Sequence, residues 1–518
     1  MKARGRPRAR VLPGIAAALA SAFGAACATA QASSRPGLEE RVAAVVQAAP
    51  LDQVHWGVLA VDASSGDVLV GRQAERKFIP ASNMKLLGTA AALHLLGPGH
   101  TFETALHAAG TFDAETGVLV GDLVLPGTGD PTLSERFWEE DVAPLRALAD
   151  SLRRAGVREV TGGLVVDASA WDSSSVVGSW MVGDLPAAYA ATGGAFAVAE
   201  GETTIVLRGG TVAGELARVE WWPLGEEGFV VSRVVTLPAG DTTGRVEAAY
   251  LPESRRLVLQ GTMEAGTVDT VRVATRDPVR QATAALERAL REAGVSIRGG
   301  WRVAWEPGEP LGGGCSSGAL ASCGAARLAG LRSPPLTEVV EAVLEPSQNW
   351  ITEQLVRALG PHRRPDEGRP GDERPARGGW RDGLTVVRRF MVEEVGVDSL
   401  DLLLRDGSGL STQNLLTPRA IVRLLDYALR TPWGDAFRVA LAEPGEEDST
   451  LERRFEGLGG RVFAKTGSLT NVASLSGYLI RPDGRTILFS IMTNASGLPA
   501  SRVRQGIDRI VELLAAGG

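Results

Sequence analysis

The sequence predicts an α+β fold in which one folding unit, formed by the two ends of the chain, is interrupted by a long insertion. The 63 glycines and 28 prolines favour many turns and strands over a long helical bundle. Strand-like and helix-like segments are mixed, without the regular alternation of a βαβ array. At 518 residues the chain also exceeds the roughly 250 residues that one hydrophobic core usually organises, so we expect two or three domains.

The charge composition directs attention to two lysines. The chain has 54 Lys and Arg against 61 Asp and Glu, a formal charge of −7, so we expect no nucleic-acid partner. Lysine occurs only at positions 2, 77, 85 and 465, which leaves 50 of the 54 cations as arginine. Arginine stays protonated in proteins, whereas the pKa of lysine responds to its surroundings. Lys85 and Lys465 are therefore candidate functional residues, and Lys77, in a charged stretch, is interpreted as the chance survival of a rare residue.

Residues 1–32 are predicted to be a signal peptide. A positive segment precedes an apolar run, 11–26, that is too short and alanine-rich for a membrane span. The mature protein is expected in the periplasm or the extracytoplasmic cell envelope. Small residues permit cleavage after Ala30 or Ala32. Residues 24–27 also resemble a degenerate lipoprotein box, in which case a lipid on Cys27 would hold the protein at the membrane surface.

Cys315 and Cys323 lie eight positions apart in a glycine-rich stretch. In an oxidising compartment such a pair can close a small disulfide loop. Zinc is the competing interpretation, but two thiolates without a nearby histidine supply too few ligands. The five histidines form no metal-binding spacing, so we expect no metal and no cofactor.

Both ends of the chain are predicted to contribute strands and a helix to the interrupted unit. Near the start we expect a hairpin over 56–70 and a buried helix from about residue 80 to the glycine at 97, because apolar residues surround that helix on all sides. Near the end, strands are predicted over 461–466, 473–480 and 486–493, followed by a helix with one apolar face.

Between these ends the pattern changes. Residues 104–305 contain short strands and two convincing helices, over 142–155 and 279–293. A helix-rich stretch begins at 336 and is interrupted over 361–379 by Arg-, Pro- and Gly-rich sequence, which predicts an exposed loop.

The first motif carrying chemistry is Ser82-Asn83-Met84-Lys85. On a helix, residues three apart share a face, so Ser82 and Lys85 can touch. A desolvated lysine can be neutral enough to take the proton of a serine hydroxyl, and a helix N-terminus stabilises an oxyanion. Taken alone, Ser82 could equally be a helix cap.

Two further motifs follow. Ser347-Gln348-Asn349 lies between two helices, where Ser347 could relay a proton and Asn349 could hold a substrate amide, although both are also common cap residues. Lys465-Thr466-Gly467-Ser468 ends a predicted strand, where a substrate carboxylate could meet Lys465 and Thr466 along the strand edge. The alternative for Lys465 is an exposed lysine before a hairpin turn.

The order S-x-x-K, S-x-N, K-T-G is far more specific than any one member and is the set of penicillin-binding proteins and β-lactamases. The phrases at 81–86, 127–133, 406–411 and 465–468 further resemble class C low-molecular-mass penicillin-binding proteins, D-alanyl-D-alanine carboxypeptidase/endopeptidases of the penicillin-binding protein 4 type. The resemblance covers the chain from about residue 40 to its end.

The resemblance implies an antiparallel transpeptidase-like catalytic domain, flanked by helices, with two smaller β-rich accessory domains inserted. The catalytic domain would comprise 38–103 and 306–518, the first accessory domain 104–195 and 275–305, and the second 196–274. The resemblance also implies that peptidoglycan stem peptides are the substrates and that β-lactam antibiotics are covalent inhibitors.

The same resemblance implies the roles of the site residues. Ser82 would be acylated, with Lys85 as base and Ser347 passing the proton to the leaving D-alanine. Asn349 would orient the substrate amide, and Lys465 and Thr466 would receive the terminal carboxylate. The backbone N–H groups of Ser82 and Ser468 would form the oxyanion hole. The alternatives are a β-lactamase, which the insertions and the absence of an additional base motif disfavour, and a non-catalytic cell-wall binding protein, which would have no reason to keep a nucleophile beside its base.

Overall fold

The computed structural model describes residues 36–223, 230–250, 256–367 and 374–517. The predicted signal peptide and Cys27 lie outside these residues. From Leu38 onward the chain clusters as one unit. Within the described ranges, no helix combines the length and apolar character that a membrane span needs.

The N-terminal segment supplies one edge of the central sheet and the helix that carries the first motif. Its elements are α1 (Leu38–Gln47), β1 (His55–Asp62), β2 (Val68–Arg72) and α2 (Lys85–Leu96). Strands β1 and β2 pair antiparallel, and one 3-10 turn, Ala81–Met84, leads directly into α2. The predicted hairpin and buried helix are therefore confirmed.

The insertion contains two groups of strands. The first group and its helices are β3 (Glu103–Asp113), β4 (Val118–Pro126), α3 (Ala143–Arg154), β5 (Glu159–Val160) and β6 (Leu164–Asp167), and, after the second group, α4 (Pro278–Glu292), β13 (Ser296–Ile297), β14 (Trp301–Ala304) and β15 (Ala326–Arg332). The second group is β7 (Glu202–Arg208), β8 (Arg218–Trp222), β9 (Val230–Leu237), β10 (Val246–Tyr250), β11 (Leu257–Glu264) and β12 (Val268–Ala274). The first group forms a seven-stranded sheet and the second forms two three-stranded sheets. The two predicted helices of the insertion are confirmed as α3 and α4.

The C-terminal segment returns to the central sheet. Its elements are α5 (Leu336–Leu344), α6 (Asn349–Ala358), α7 (Trp380–Arg389), β16 (Leu402–Leu403), β17 (Leu415–Leu416), α8 (Pro418–Leu429), α9 (Gly434–Val439), β18 (Val462–Leu469), β19 (Val472–Ile480), β20 (Thr486–Asn494) and α10 (Ala500–Ala516). The three predicted strands and the closing helix are confirmed.

The central sheet is antiparallel throughout, in the order β18-β19-β20-β1-β2. One face packs on α1 and α10, and the other packs on a larger cluster that includes α2, α5, α6 and α8. Because both faces of the sheet are covered, β19 and β20 are buried along almost their whole length. Strand β18 stands at the sheet edge, beside the start of α2.

Two regions differ from the sequence interpretation. Strand β15, which the sequence interpretation assigns to the catalytic domain, pairs antiparallel with β3 of the insertion. The loop predicted over 361–379 is mostly exposed over 361–367, as expected, but residues 378 and 379 are buried. Arg374 forms a bidentate ion pair with buried Asp382, at 2.9 and 2.7 Å. Both differences arise from long-range partners that local composition does not reveal.

Cys315 and Cys323 form a disulfide. The bond closes the glycine-rich loop after β14, as the sequence predicts for an oxidising compartment.

Candidate active site

Ser82 lies in the 3-10 turn that opens α2, with its side chain half-buried. The residue before it, Ala81, has a φ of +48°, a left-handed conformation that costs a residue with a Cβ roughly 1–2 kcal/mol. The turn and the first helical residue bring the Ser82 Oγ and the Lys85 Nζ to 2.8 Å. The structure therefore joins the two residues of the first motif as the i, i+3 spacing predicts.

The amine of Lys85 is enclosed by oxygen atoms. Besides Ser82, it contacts Asn349 Oδ1 at 2.6 Å and the backbone carbonyl of Ser408 at 2.8 Å, and its side chain is fully buried. Burial lowers the pKa of Lys85 to about 7, against the opposing charges of Glu353 and Asp406. A substantial fraction of this amine is thus neutral near pH 7.

The second motif forms the turn between α5 and α6. Ser347 has a φ of +67°, and Gln348 caps α6 by accepting a hydrogen bond from the Ile351 N–H at 3.0 Å. Asn349 is engaged through both ends of its amide, because its Oδ1 faces Lys85 and its Nδ2 donates to the Tyr189 carbonyl at 2.7 Å. The structure thus adds a contact with Lys85, the predicted base, to the predicted role of Asn349 in orienting the substrate amide.

Lys465 lies on β18 and is fully buried, which contradicts the alternative of an exposed lysine before a turn. Among the described residues its Nζ has no hydrogen-bond partner. Burial, together with the charge of Lys85, lowers the pKa of Lys465 well below its ordinary value. An anionic ligand would supply the hydrogen-bond acceptor that this buried amine lacks and would strongly stabilise its charged form.

Strand β18 is held against the 3-10 turn that carries Ser82. Asn83 donates to the carbonyl of Lys465 at 3.1 Å and to Ser474 Oγ at 2.8 Å, and Ser474 donates to the Pro80 carbonyl at 2.7 Å. A Cβ at Gly467 would approach the Ser82 nitrogen to 3.0 Å and Ser474 Oγ to 2.3 Å. Glycine is required there for this close approach.

The outer edge of β18, on the side away from β19, presents backbone N–H groups. The Ala464 N–H points away from β19, since it donates to the Ala442 carbonyl at 3.0 Å. Backbone N–H groups alternate in direction along a strand, so those of Thr466 and Ser468 point to the same outer side. Ser468 is exposed and Thr466 half-buried. Among the described residues, no hydrogen bond joins the side chains of Ser347, Thr466 or Ser468 to Ser82 or Lys85.

Sequence reasoning missed a buried carboxylate pair beneath the site. Glu353, one helical turn after Asn349, accepts from the N–H groups of Gly407 at 3.0 Å and Ser408 at 2.8 Å. Burial and the charge of Asp406 raise the pKa of Glu353 to about 7. Asp406 in turn accepts from the Gly409 N–H at 2.9 Å. The two carboxylates shape the loop whose Ser408 carbonyl contacts Lys85.

Part of this arrangement left a signal in the sequence. The stretch 406–411 is among the phrases that resemble the penicillin-binding proteins, but nothing local assigned it a contact with Lys85. Glu353 is simply a glutamate within a predicted helix.

A serine held against a buried lysine beside an antiparallel sheet edge, with no histidine among the described contacts of either residue, is typical of serine hydrolases that form acyl-enzymes with a lysine base. The model of the D-Ala-D-Ala carboxypeptidase 3 (S13) family matches residues 38–516, and the chain belongs to this family. The resemblance to penicillin-binding proteins of class C is confirmed.

Similar proteins support the same assignment. A D-alanyl-D-alanine carboxypeptidase from an Actinomadura species is 33% identical over 497 residues, which cover 92% of this chain and 85% of the relative. The D-alanyl-D-alanine carboxypeptidase DacB of Haemophilus influenzae is 23% identical, covering 84% of each chain. The crystal structure of penicillin-binding protein 4 from H. influenzae superposes with a TM-score of 0.76 at 22% identity, covering 92% of this chain and 99% of that chain. The predicted transpeptidase-like fold is confirmed.

Proposed function

We propose that Ser82 is the nucleophile through which this serine D-alanyl-D-alanine carboxypeptidase cleaves peptidoglycan stem peptides. The contacts of Lys85 carry the proposal. When its amine is neutral, it has two N–H groups and one lone pair. The carbonyl oxygens of Asn349 and Ser408 can only accept, so they take the two N–H groups. The lone pair is then directed to the hydroxyl proton of Ser82.

In the acylation step the Ser82 oxygen bonds to the carbonyl carbon of the penultimate D-alanine, and its proton passes to Lys85. The backbone N–H groups of Ser82 and Ser468 hold the oxyanion. The bond to the terminal D-alanine then breaks as Ser347 donates its hydroxyl proton to the leaving amine. Ser347 takes up the proton held by Lys85 in return, so that Lys85 is neutral again. Water finally hydrolyses the ester on Ser82, releasing the shortened peptide and restoring the hydroxyl.

The terminal carboxylate of the substrate is proposed to bind Lys465 and Thr466. The buried amine of Lys465, which has no partner among the described residues, supports this assignment, because a carboxylate would supply the missing acceptor. Asn349 would contribute its remaining amide capacity to the substrate backbone. Cleavage of internal cross-links, as an endopeptidase, is a second proposed activity of the same site.

Benzylpenicillin should add one ligand mass to the protein, and the adduct should map to the peptide containing Ser82. The Ser82→Ala variant is the matched control, and it should neither form the adduct nor release D-alanine from a peptide ending in D-alanyl-D-alanine. An adduct on another serine would refute the assignment. Rapid hydrolysis of the penicillin without peptide cleavage would favour the β-lactamase alternative.

We further propose export to the periplasm or extracytoplasmic envelope. The composition of residues 1–32 and the disulfide between Cys315 and Cys323 support this location. The intact mass of the protein purified from membranes and from the soluble fraction tests it. A mass starting at Cys27 plus lipid indicates lipid attachment, cleavage after Ala30 or Ala32 indicates a simple signal peptide, and a full-length cytoplasmic product would contradict export.

A further inference from the structure

A carboxylate from the insertion reaches the turn of the second motif. Glu200 precedes β7, is 8% exposed, and accepts a hydrogen bond from the side-chain amide of Gln348. The other end of that amide caps α6 through the Ile351 N–H. Gln348 therefore bridges Glu200 and the first turn of α6, directly beside Ser347.

The Glu200 carboxylate is itself held in place. Arg136 contacts it through Nε at 2.6 Å and through a terminal nitrogen at 3.2 Å, and Ser134 Oγ lies 3.4 Å from it. Bidentate contact with a guanidinium fixes both the charge and the orientation of a carboxylate. Gln348 thus meets an anchored acceptor rather than a mobile surface side chain.

The backbone that carries Glu200 is strained. Ala199, Glu200 and Gly201 have consecutive φ values of +54°, +52° and +67°, and two of these residues have a Cβ. A Cβ at Gly201 would lie 2.3 Å from the Thr192 carbonyl and 2.7 Å from Trp350 Nε1, so this segment lies directly on α6. Strained backbone persists where the surrounding structure imposes it, and it is concentrated at functional sites.

A second contact from the insertion holds the other side of the same turn. The Tyr189 carbonyl accepts from Asn349 Nδ2 at 2.7 Å. Both residues that follow Ser347 are therefore held by the insertion, while Ser347 itself adopts a left-handed φ. We propose that Glu200 is a positioning residue, which acts through Gln348 to aim the Ser347 hydroxyl at the leaving amine. The inserted segment is then a working part of the active site.

This inference rests on the proposed role of Ser347, and the leaving group provides a test of both. An amine must receive a proton in order to leave, whereas a thiolate, with a conjugate acid of pKa about 8.5, leaves without one. The assay compares a peptide ending in D-alanyl-D-alanine with the thiolester analogue that carries a thiol in place of the leaving amine. Ser347→Ala should lower kcat for the peptide about a hundredfold, and much less for the thiolester.

Glu200→Ala should reproduce this selectivity in weaker form. We expect kcat for the peptide to fall about tenfold, with KM and thiolester turnover within about threefold of the wild type. Gln348→Glu should act similarly because it places two carboxylates face to face. Combining Gln348→Glu with Glu200→Gln exchanges donor and acceptor and should restore the peptide rate. The matched control is Glu202→Gln, a neighbouring carboxylate for which the described part of the chain shows no hydrogen bond to Gln348.

The outcomes separate the two claims. Equal losses for peptide and thiolester in Glu200→Ala, or no rescue by the exchanged pair, would show a merely structural role and overturn the inference while the role of Ser347 stands. A Ser347→Ala variant with equal losses for both substrates would overturn the proposed proton relay and the inference with it. If Glu200→Ala fails to fold, Gln348→Glu and the exchanged pair decide the matter.

Discussion

Replacing Gly409 by alanine should slow acylation strongly by displacing the turn that carries Ser82. Gly409 has a φ of +87°, and a Cβ there would lie 1.9 Å from the Ala81 carbonyl oxygen and 3.1 Å from the Ser82 nitrogen. Side-chain Cβ atoms essentially never approach closer than 3.0 Å, so the backbone at Ala81 must move by about 1 Å. The Ser82 N–H, one proposed oxyanion donor, would move with it.

The magnitude follows from two separate effects. The left-handed φ alone costs an alanine roughly 1–2 kcal/mol of folding free energy. Removing one oxyanion donor costs about 10²- to 10³-fold in rate, and a misplacement of about 1 Å about 10²-fold. Gly409→Ala should therefore acylate with benzylpenicillin about a hundredfold more slowly than the wild type.

Gly445→Ala is the matched control, because Gly445 has a φ of +85° and, in the described part of the chain, nothing lies within 4 Å of the position that a Cβ would occupy. Both variants should lose stability in thermal unfolding from the left-handed φ, and Gly409→Ala should lose more because its Cβ clashes with the Ala81 carbonyl. Only Gly409→Ala should lose acylation, measured by intact mass against time. Wild-type acylation in Gly409→Ala, or an equal loss in Gly445→Ala, would refute the argument.

Three other predictions concern the lysines and the disulfide. Lys85→Arg should slow acylation at least about a hundredfold, nearly as much as Lys85→Ala, because arginine stays protonated. In the wild type, the acylation rate should rise with pH through about 7, since only the neutral amine accepts the proton. A pH-independent rate between about pH 5 and 9 would contradict this role. Lys465→Ala should remove the roughly ten- to hundredfold preference for a free C-terminal carboxylate over its amide, measured as the ratio of kcat/KM for the two peptides. Cys315→Ser with Cys323→Ser should lower the free energy of unfolding by about 2–3 kcal/mol and leave acylation unchanged; a lost acylation rate would mean that the loop supports the site.

Local patterns predicted the parts of the site that lie within one element. The i, i+3 spacing placed Ser82 on Lys85, and the apolar runs predicted β18, β19 and β20 to within two or three residues. The burial of Lys465 was not predicted, because it depends on the turn Ala81–Met84, a segment distant in sequence that packs against β18. Lysine scarcity identified the residue without revealing its environment.

Contacts between distant segments could not be predicted. Glu353 and Asp406 lie 53 positions apart, and Glu200 reaches Gln348 across 148 positions. Their functional positions depend on how the insertion and α6 pack, and a carboxylate in a helix or a turn carries no local sign of such a partner. The pairing of β15 with β3 escaped prediction for the same reason.

The scarcity of lysine also has a practical consequence for labelling. In the mature chain implied by the predicted signal peptide, only three lysines remain, and Lys85 and Lys465 are fully enclosed. Lys77 alone among them is exposed. An amine-reactive dye would therefore attach to the folded protein at Lys77 and the chain terminus, leaving the amines of Lys85 and Lys465 unmodified. A fluorophore can thus be installed on the native chain, without any engineered cysteine, to follow the binding of β-lactams and stem peptides.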